Sequence, residues 1–247
     1  MKRNLLYPLR LLGNALRLRK LVKRYNIDII QVNDLYNLTA LVTKRFIRVK
    51  VITHVRRMPE SFPLPLYKWW VRRHNCRADK ILPVSKANAR IFEGSLKTEV
   101  FYDPLPPHTV SFTYRPEKKF NYHLLYLANF TIGKGQNHAL EAMKIILKEY
   151  PDFPAHLHFT GSDFGMDKNR EYREELEQTS RELGLSDRVS FHNGTADIVT
   201  PISQADIMLN FSDSESLSRV SMEALYFGVP LIATNVGGTN EMVIDGW

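Results

Sequence analysis

From Leu124 onward the chain alternates short apolar runs, rich in β-branched and aromatic residues, with stretches whose apolar positions recur at three- and four-residue spacing. The first kind reads as buried strands and the second as amphipathic helices. The pattern predicts strands over Leu124–Ala128, Ala155–Thr160, Val189–His192, Ile207–Asn210 and Leu231–Thr234. Between them it predicts helices over Asn137–Tyr150, Asn169–Leu183, Ile198–Gln204 and Leu217–Phe227, the last stopped by Gly228-Val229-Pro230. The earlier part of the chain alternates in the same way. Helices are predicted over Leu9–Tyr25, Leu35–Phe46, Leu66–Arg77 and Lys86–Phe92, and strands over Ile27–Val32, Lys50–His54 and Lys80–Val84. In the first helix Leu9, Leu12, Leu16 and Leu21 fall roughly on one side, a face expected to be buried in the core. Pro104, Pro106, Pro107 and Pro116, with Ser111 and Thr113 between them, mark a linker near 103–119. The expected architecture is α/β, with a first domain over 1–110 and a second over 120–247. Strand–helix alternation favours parallel sheets with right-handed crossovers, and such sheets bind ligands beyond the carboxyl ends of their strands.

Just before the last predicted helix and strand, Glu215 and Glu223 stand with seven residues between them. Eight positions are roughly 800° of helix rotation, two full turns and about 80°, which leaves both acids on one side of the helix entrance, with helix N-terminal amides between them. Such an arrangement can grip a hydroxyl-rich ligand at one end and phosphates in the middle. On spacing alone a plainer reading is open, because acids are favoured near helix starts.

A chain of 247 residues, 44% hydrophobic and 24% charged, suits a folded enzyme with a real core. The single Cys76 excludes a disulfide framework and a Cys-based metal site, which fits a reducing, cytoplasmic setting. No apolar stretch is long enough to span a bilayer, and arginines interrupt the leucine-rich N-terminus too often for a signal peptide. The net charge of +8 hides an asymmetry. Residues 1–120 hold 25 Lys and Arg against 8 Asp and Glu (+17), whereas residues 121–247 hold 9 against 18 (−9). A basic half attracts a polyanion, and no helix-turn-helix, zinc or RNP-type motif supports nucleic acid. An anionic membrane leaflet is the better candidate partner, with peripheral docking at the inner face. A merely solvated basic surface is the bland alternative.

The run ESLSRVSMEALYFGVPLIATNVGGTNEMVIDG resembles the nucleotide-sugar signature of retaining glycosyltransferases of family 4 (glycosyltransferase group 1). The segments LYLANFTIGKGQNHALEAM and LGLSDRVSFHNGTADIVTPISQADIMLNFSDSES resemble the elements that precede that signature. The resemblance spans 121–247 closely and about 18–110 more loosely. It implies the GT-B fold of two Rossmann-like domains, both incomplete here relative to the family. The N-terminal strand and glycine-rich loop and the C-terminal helices are the parts expected to be absent.

The resemblance also assigns roles. Glu223 is expected to accept hydrogen bonds from the ribose hydroxyls. Glu215 is expected to hold the hexose, with the backbone of Ser216, Leu217 and Ser218 offered to sugar and diphosphate. Lys134, flanked by Gly133 and Gly135, would face the diphosphate. Family members usually carry an arginine five residues earlier, where this chain has Asn129, and Arg219 would supplement the missing charge. Gly194 and Thr195 resemble the turn that contacts the nucleobase. In the first domain His54 ends a strand where the family has a histidine facing donor sugar and phosphate; Arg56, Arg57 and Ser85 also lie beyond strand ends. The His156/His158 pair has no third ligand nearby and reads as structural. With no Asp-x-Asp signature, transfer without a metal or other cofactor is expected. The expected reaction moves a hexose from a nucleoside-diphosphate sugar to a cell-envelope or lipid-linked glycan. Three alternatives remain beside it: a non-catalytic nucleotide-sugar-binding or interaction fragment, a sugar-nucleotide epimerase, and a surface-binding module without sugar chemistry.

Overall fold

Every strand pairing among the described residues of the computed structural model is parallel. The structure describes residues 7–105, 121–244 and 246, so most of the predicted linker lies outside the described residues. The chain divides into two compact units, Met1–Asp103 and Pro104–Trp247.

The first unit runs α1 (Tyr7–Arg24), β1 (Ile29–Asn33), α2 (Thr39–Thr43), β2 (Lys50–Val55), α3 (Leu64–Arg77), β3 (Lys80–Pro83) and α4 (Lys86–Ala89). Its sheet has the order β1-β2-β3. Val32, Val51, Val55 and Ile81 bury against Leu41, Tyr67 and Trp70. Two expectations fail here. The leucine face of α1 is not in the core: Leu9, Leu12, Leu16 and Leu21 are 40–67% exposed. The buried positions are Ala15 and Val22, with Leu11 and Leu18 packed beside them. The small Ala15 decides this, because it lets the helix backbone come close enough for Thr43 Oγ1 to donate to the Ala15 carbonyl at 3.2 Å. The helix predicted over Leu35–Phe46 shrinks to α2. Asp34 takes a left-handed φ of 66°, and its carboxylate accepts the amides of Arg56 (2.8 Å) and Arg57 (3.1 Å). That tie holds the chain in a turn after β1, so the helix starts only beyond Asn37, whose side chain accepts the Thr39 amide at 3.1 Å.

The second unit runs β4 (Tyr122–Leu127), α5 (Gln136–Glu149), β5 (Ala155–Gly161), α6 (Asp167–Glu182), β6 (Val189–Asn193), α7 (Val199–Gln204), β7 (Ile207–Asn210), α8 (Arg219–Phe227) and β8 (Leu231–Ala233). The sheet order is β6-β5-β4-β7-β8. Both faces are covered, which is why the strands read as nearly continuous apolar runs. Leu124, Tyr126, Leu157 and Phe159 pack with Leu140, Met143 and Leu176 on one side. Leu125 and Met208 pack with Ile202, Ala224 and Phe227 on the other. Chain order reverses between β4 and β7, the switch point at which such a sheet opens a crevice beyond its carboxyl ends.

Candidate functional site

That crevice is a cavity of about 430 Å³ in the second unit. The carboxyl ends of β4, β5 and β7 supply Leu127, Ala128, Thr160, Gly161 and Asn210 to its wall. Of the residues picked out from sequence, Asn129, Lys134, Gly194, Thr195, Glu215, Leu217, Ser218, Arg219 and Glu223 line it. Gly133 and Ser216 belong to the same loops without lining the cavity. His54 lies in the first unit, at the end of β2.

The phosphate-facing loop is built from β4. Tyr126 is buried, and its hydroxyl donates to the Lys134 carbonyl at 2.5 Å while accepting the Phe211 amide at 2.7 Å. Burial pushes this phenol up, away from ionisation. One side chain thus ties the loop after β4 to the loop after β7. Gly135 completes the tie: at φ +77° it starts α5, and a Cβ there would sit 2.0 Å from the Phe211 carbonyl oxygen. Asn129 is engaged too. Its side chain accepts the Ser162 amide at 3.2 Å and its carbonyl accepts the Gln136 amide group at 2.9 Å.

The acid-bearing segment is a loop entering a helix, as the predicted helix over Leu217–Phe227 implies. The helix α8 begins at Arg219, and Ser218 caps it by accepting the Ser221 amide at 3.2 Å. Asn210, at the end of β7, donates to Ser218 Oγ at 2.8 Å and to Ser221 Oγ at 3.2 Å, which fixes the helix start against the sheet. Glu215 therefore sits in the loop before the helix and Glu223 within it, yet both line one cavity. The first-turn amides of Arg219 and Val220 have no intrahelical acceptor, as in any helix start. Lys134 Nζ lies 2.6 Å from Glu215 Oε1, and Arg219 lies 3.6 Å from Glu223 Oε1. Sequence reasoning missed both pairings, along with Tyr126, Gly161 and Asn210. The strand-end rule marks the region of the last two, but nothing in the local pattern marks the tyrosine.

Beside this cavity, and sharing Thr160 and Thr195 with it, lies a second of about 400 Å³ walled by His123, His158 and His192. His123 Nδ1 is 3.1 Å from His158 Nε2, and His158 Nδ1 is 3.3 Å from His192 Nε2. Burial, reinforced by His156, His123 and His192, pushes His158 down to about 4. His156 is lowered as well, again chiefly by burial, and bonds Ser190 at 2.8 Å. Among the described residues, no three His, Cys, Asp or Glu side chains converge on a metal position.

In the first unit the buried His54 has Nε2 3.3 Å from Asp103 Oδ1, outside hydrogen-bonding alignment, with the Phe101 ring edge-on at 6.0 Å. Arg56 pairs with the same carboxylate. Asp34 and Asp103 thus organise the carboxyl end of this sheet, and neither was evident from sequence. No helix among the described residues is long and apolar enough to cross a membrane.

A family model described as glycosyl transferases group 1 matches residues 113–247. The chain belongs to that family. A second model, glycosyltransferase family 4, matches residues 3–99. Among curated relatives, an uncharacterized glycosyltransferase of Haemophilus influenzae is 26% identical over 67% of this chain and 44% of its own length. A D-inositol 3-phosphate glycosyltransferase of Corynebacterium urealyticum is 31% identical over 46% of this chain and 27% of its own length. The chain thus spans less than half of these relatives. Among solved structures, Anabaena Alr3699/HepE in complex with UDP and glucose superposes with a TM-score of 0.77 at 22% identity, covering 94% of this chain and 65% of the other. The lipopolysaccharide outer core galactosyltransferase WaaB gives 0.72 at 20%, covering 96% and 65%. At these identities the likeness is one of fold, and the fold of this glycosyl transferase group 1 chain is GT-B.

Proposed function

We propose that the chain is the donor-binding portion of a retaining hexosyltransferase that takes a nucleoside-diphosphate sugar. One observation carries the reading: a single cavity at the switch point combines a lysine, two carboxylates and a helix N-terminus. Glu223 takes the ribose, Lys134 and the α8 start take the diphosphate, and Glu215 takes the hexose. The solved relative bound to UDP and glucose supports this class of ligand. In the reaction the bond from the hexose anomeric carbon to the diphosphate oxygen breaks, and the acceptor oxygen bonds to that carbon on the same face. The acceptor proton passes to the departing phosphate oxygen, and Lys134 offsets the charge that develops there. His54 is read as a further hydrogen-bonding partner of sugar or phosphate. The acceptor is read as a cell-envelope or lipid-linked glycan. The basic first half supports an anionic surface as the place where it is met.

Calorimetry with UDP, GDP and ADP and their sugar conjugates tests the reading. Glu223→Gln should weaken free nucleotide and intact donor alike by about 1.5–3 kcal/mol. Nucleotide affinity unchanged by that substitution sinks the ribose assignment. Donor binding without turnover would leave the chain as a nucleotide-sugar-binding module.

A further inference from the structure

We propose that Glu215 distinguishes intact donor from spent nucleotide, by holding Lys134 until a ligand offers hydroxyl groups in exchange; this rests on the donor-site reading above. The ammonium and carboxylate meet at 2.6 Å inside the cavity, with side chains 36% and 14% exposed. Their backbones are pinned. Tyr126 holds the Lys134 carbonyl, Gly238 donates to the Glu215 carbonyl at 3.1 Å, and a Cβ on Gly237 would lie 1.7 Å from that same oxygen. Any exchange of partners therefore falls to the two side chains.

The charges lining the cavity are Lys134 and Arg219 against Glu215 and Glu223, each cation lying beside one of the acids. A diphosphate adds negative charge and competes with Glu215 for the Lys134 ammonium, so a closer approach of Lys134 to phosphate weakens its hold on Glu215. With a free nucleoside diphosphate, Glu215 is left as a carboxylate beside phosphate, like charge against like charge. With the intact donor, hexose hydroxyls donate to Glu215 and replace what Lys134 gave it. Once the hexose has moved to the acceptor those hydroxyls leave. Glu215 then recovers Lys134, and the product diphosphate loses its counter-charge. The ion pair thus disfavours retention of product without opposing donor.

The test is calorimetry on the full chain with whichever of UDP, GDP and ADP binds, and with its glucose conjugate. Glu215→Gln should bind the free nucleotide about tenfold more tightly or better, while the conjugate gains nothing or loses. The gain should shrink as salt rises. If Glu215→Gln fails to melt cooperatively, Glu215→Ser must show the same gain. Lys134→Ala reports on the underlying reading: it should lose nucleotide binding, and parent-like binding overturns the donor site together with this proposal. Lys134→Ala losing binding while Glu215→Gln holds nucleotide at parent strength or weaker overturns the proposal alone.

Discussion

His74 is fully buried in the first unit, and its two ring nitrogens have fixed tasks. Nε2 lies 3.0 Å from the Leu35 carbonyl, an acceptor only, so this nitrogen carries the proton. Nδ1 then accepts from the Thr53 hydroxyl at 2.7 Å, and the ring is neutral. Burial drives its pKa down from 6.5 to about 4, with the Leu35 hydrogen bond opposing. The unfolded chain takes up this proton first as pH falls, so the contribution is fully present above about 6.5 and is lost progressively toward pH 4. Denaturant melts should lose up to about 3 kcal/mol over that window, and His74→Gln should flatten the loss. Tyr126→Phe acts at the same scale: it strands the Lys134 carbonyl and the Phe211 amide, and should cost about 1–3 kcal/mol in the same melts. Glu215, Glu223 and Lys134 were legible in the sequence because they lie in segments that resemble a known signature, beside strand and helix boundaries that can be seen locally: Lys134 and Glu215 in loops, Glu223 within α8. Tyr126 was not. It looks like any core aromatic until a residue 85 positions away donates to its hydroxyl.

At the scale of elements, α8 is held to the sheet by its cap rather than by its length. Removing the Ser218 hydroxyl takes away the cap and one acceptor of Asn210 together. Ser218→Ala should therefore lower stability by about 1–2 kcal/mol, at the upper end of ordinary caps, and blunt nucleotide-induced thermal shifts. Gly135→Ala should do more, because the methyl meets the Phe211 carbonyl and the left-handed backbone is strained besides. A Gly135→Ala protein that melts like the parent would show that the loops after β4 and β7 are not tied as described. The strands and long helices followed from periodicity, since a pattern of apolar spacing is a local property. The shrinkage of α2 did not. It depends on a carboxylate at Asp34 capping the amides of Arg56 and Arg57 just past the neighbouring strand, a contact that no window over 35–46 contains. The direction of α1 was misread for a related reason. Four leucines outweigh one alanine in any hydropathy count, yet Ala15 is the residue small enough to let two helices touch.

For the whole molecule the contrast of +17 against −9 is the first-order feature. On α1, Leu9, Leu12 and Leu16 face outward with Arg10, Arg17, Lys20 and Arg24, and the helix contains no acid. Sedimentation with acidic vesicles should recover most of the protein at low salt and much less as salt rises. Leu12→Ser and Leu16→Ser together should remove whatever binding persists at high salt. Binding to neither acidic nor neutral vesicles would leave the basic half as a solvated surface and withdraw support from a lipid-linked acceptor.

The strand order of the second unit also sets a timetable. β4 is its central strand and the first to be made, yet one flank waits for β7: the His123 amide bonds to Asp206, 83 positions later. At ribosomal speeds of about 5–20 residues per second, that flank stays unpaired for on the order of 4–17 s. Throughout that interval the nascent chain carries an open edge with the sequence YHLLYL. The same arrangement that opens a ligand crevice in the finished protein makes its birth the moment of greatest exposure to misassembly.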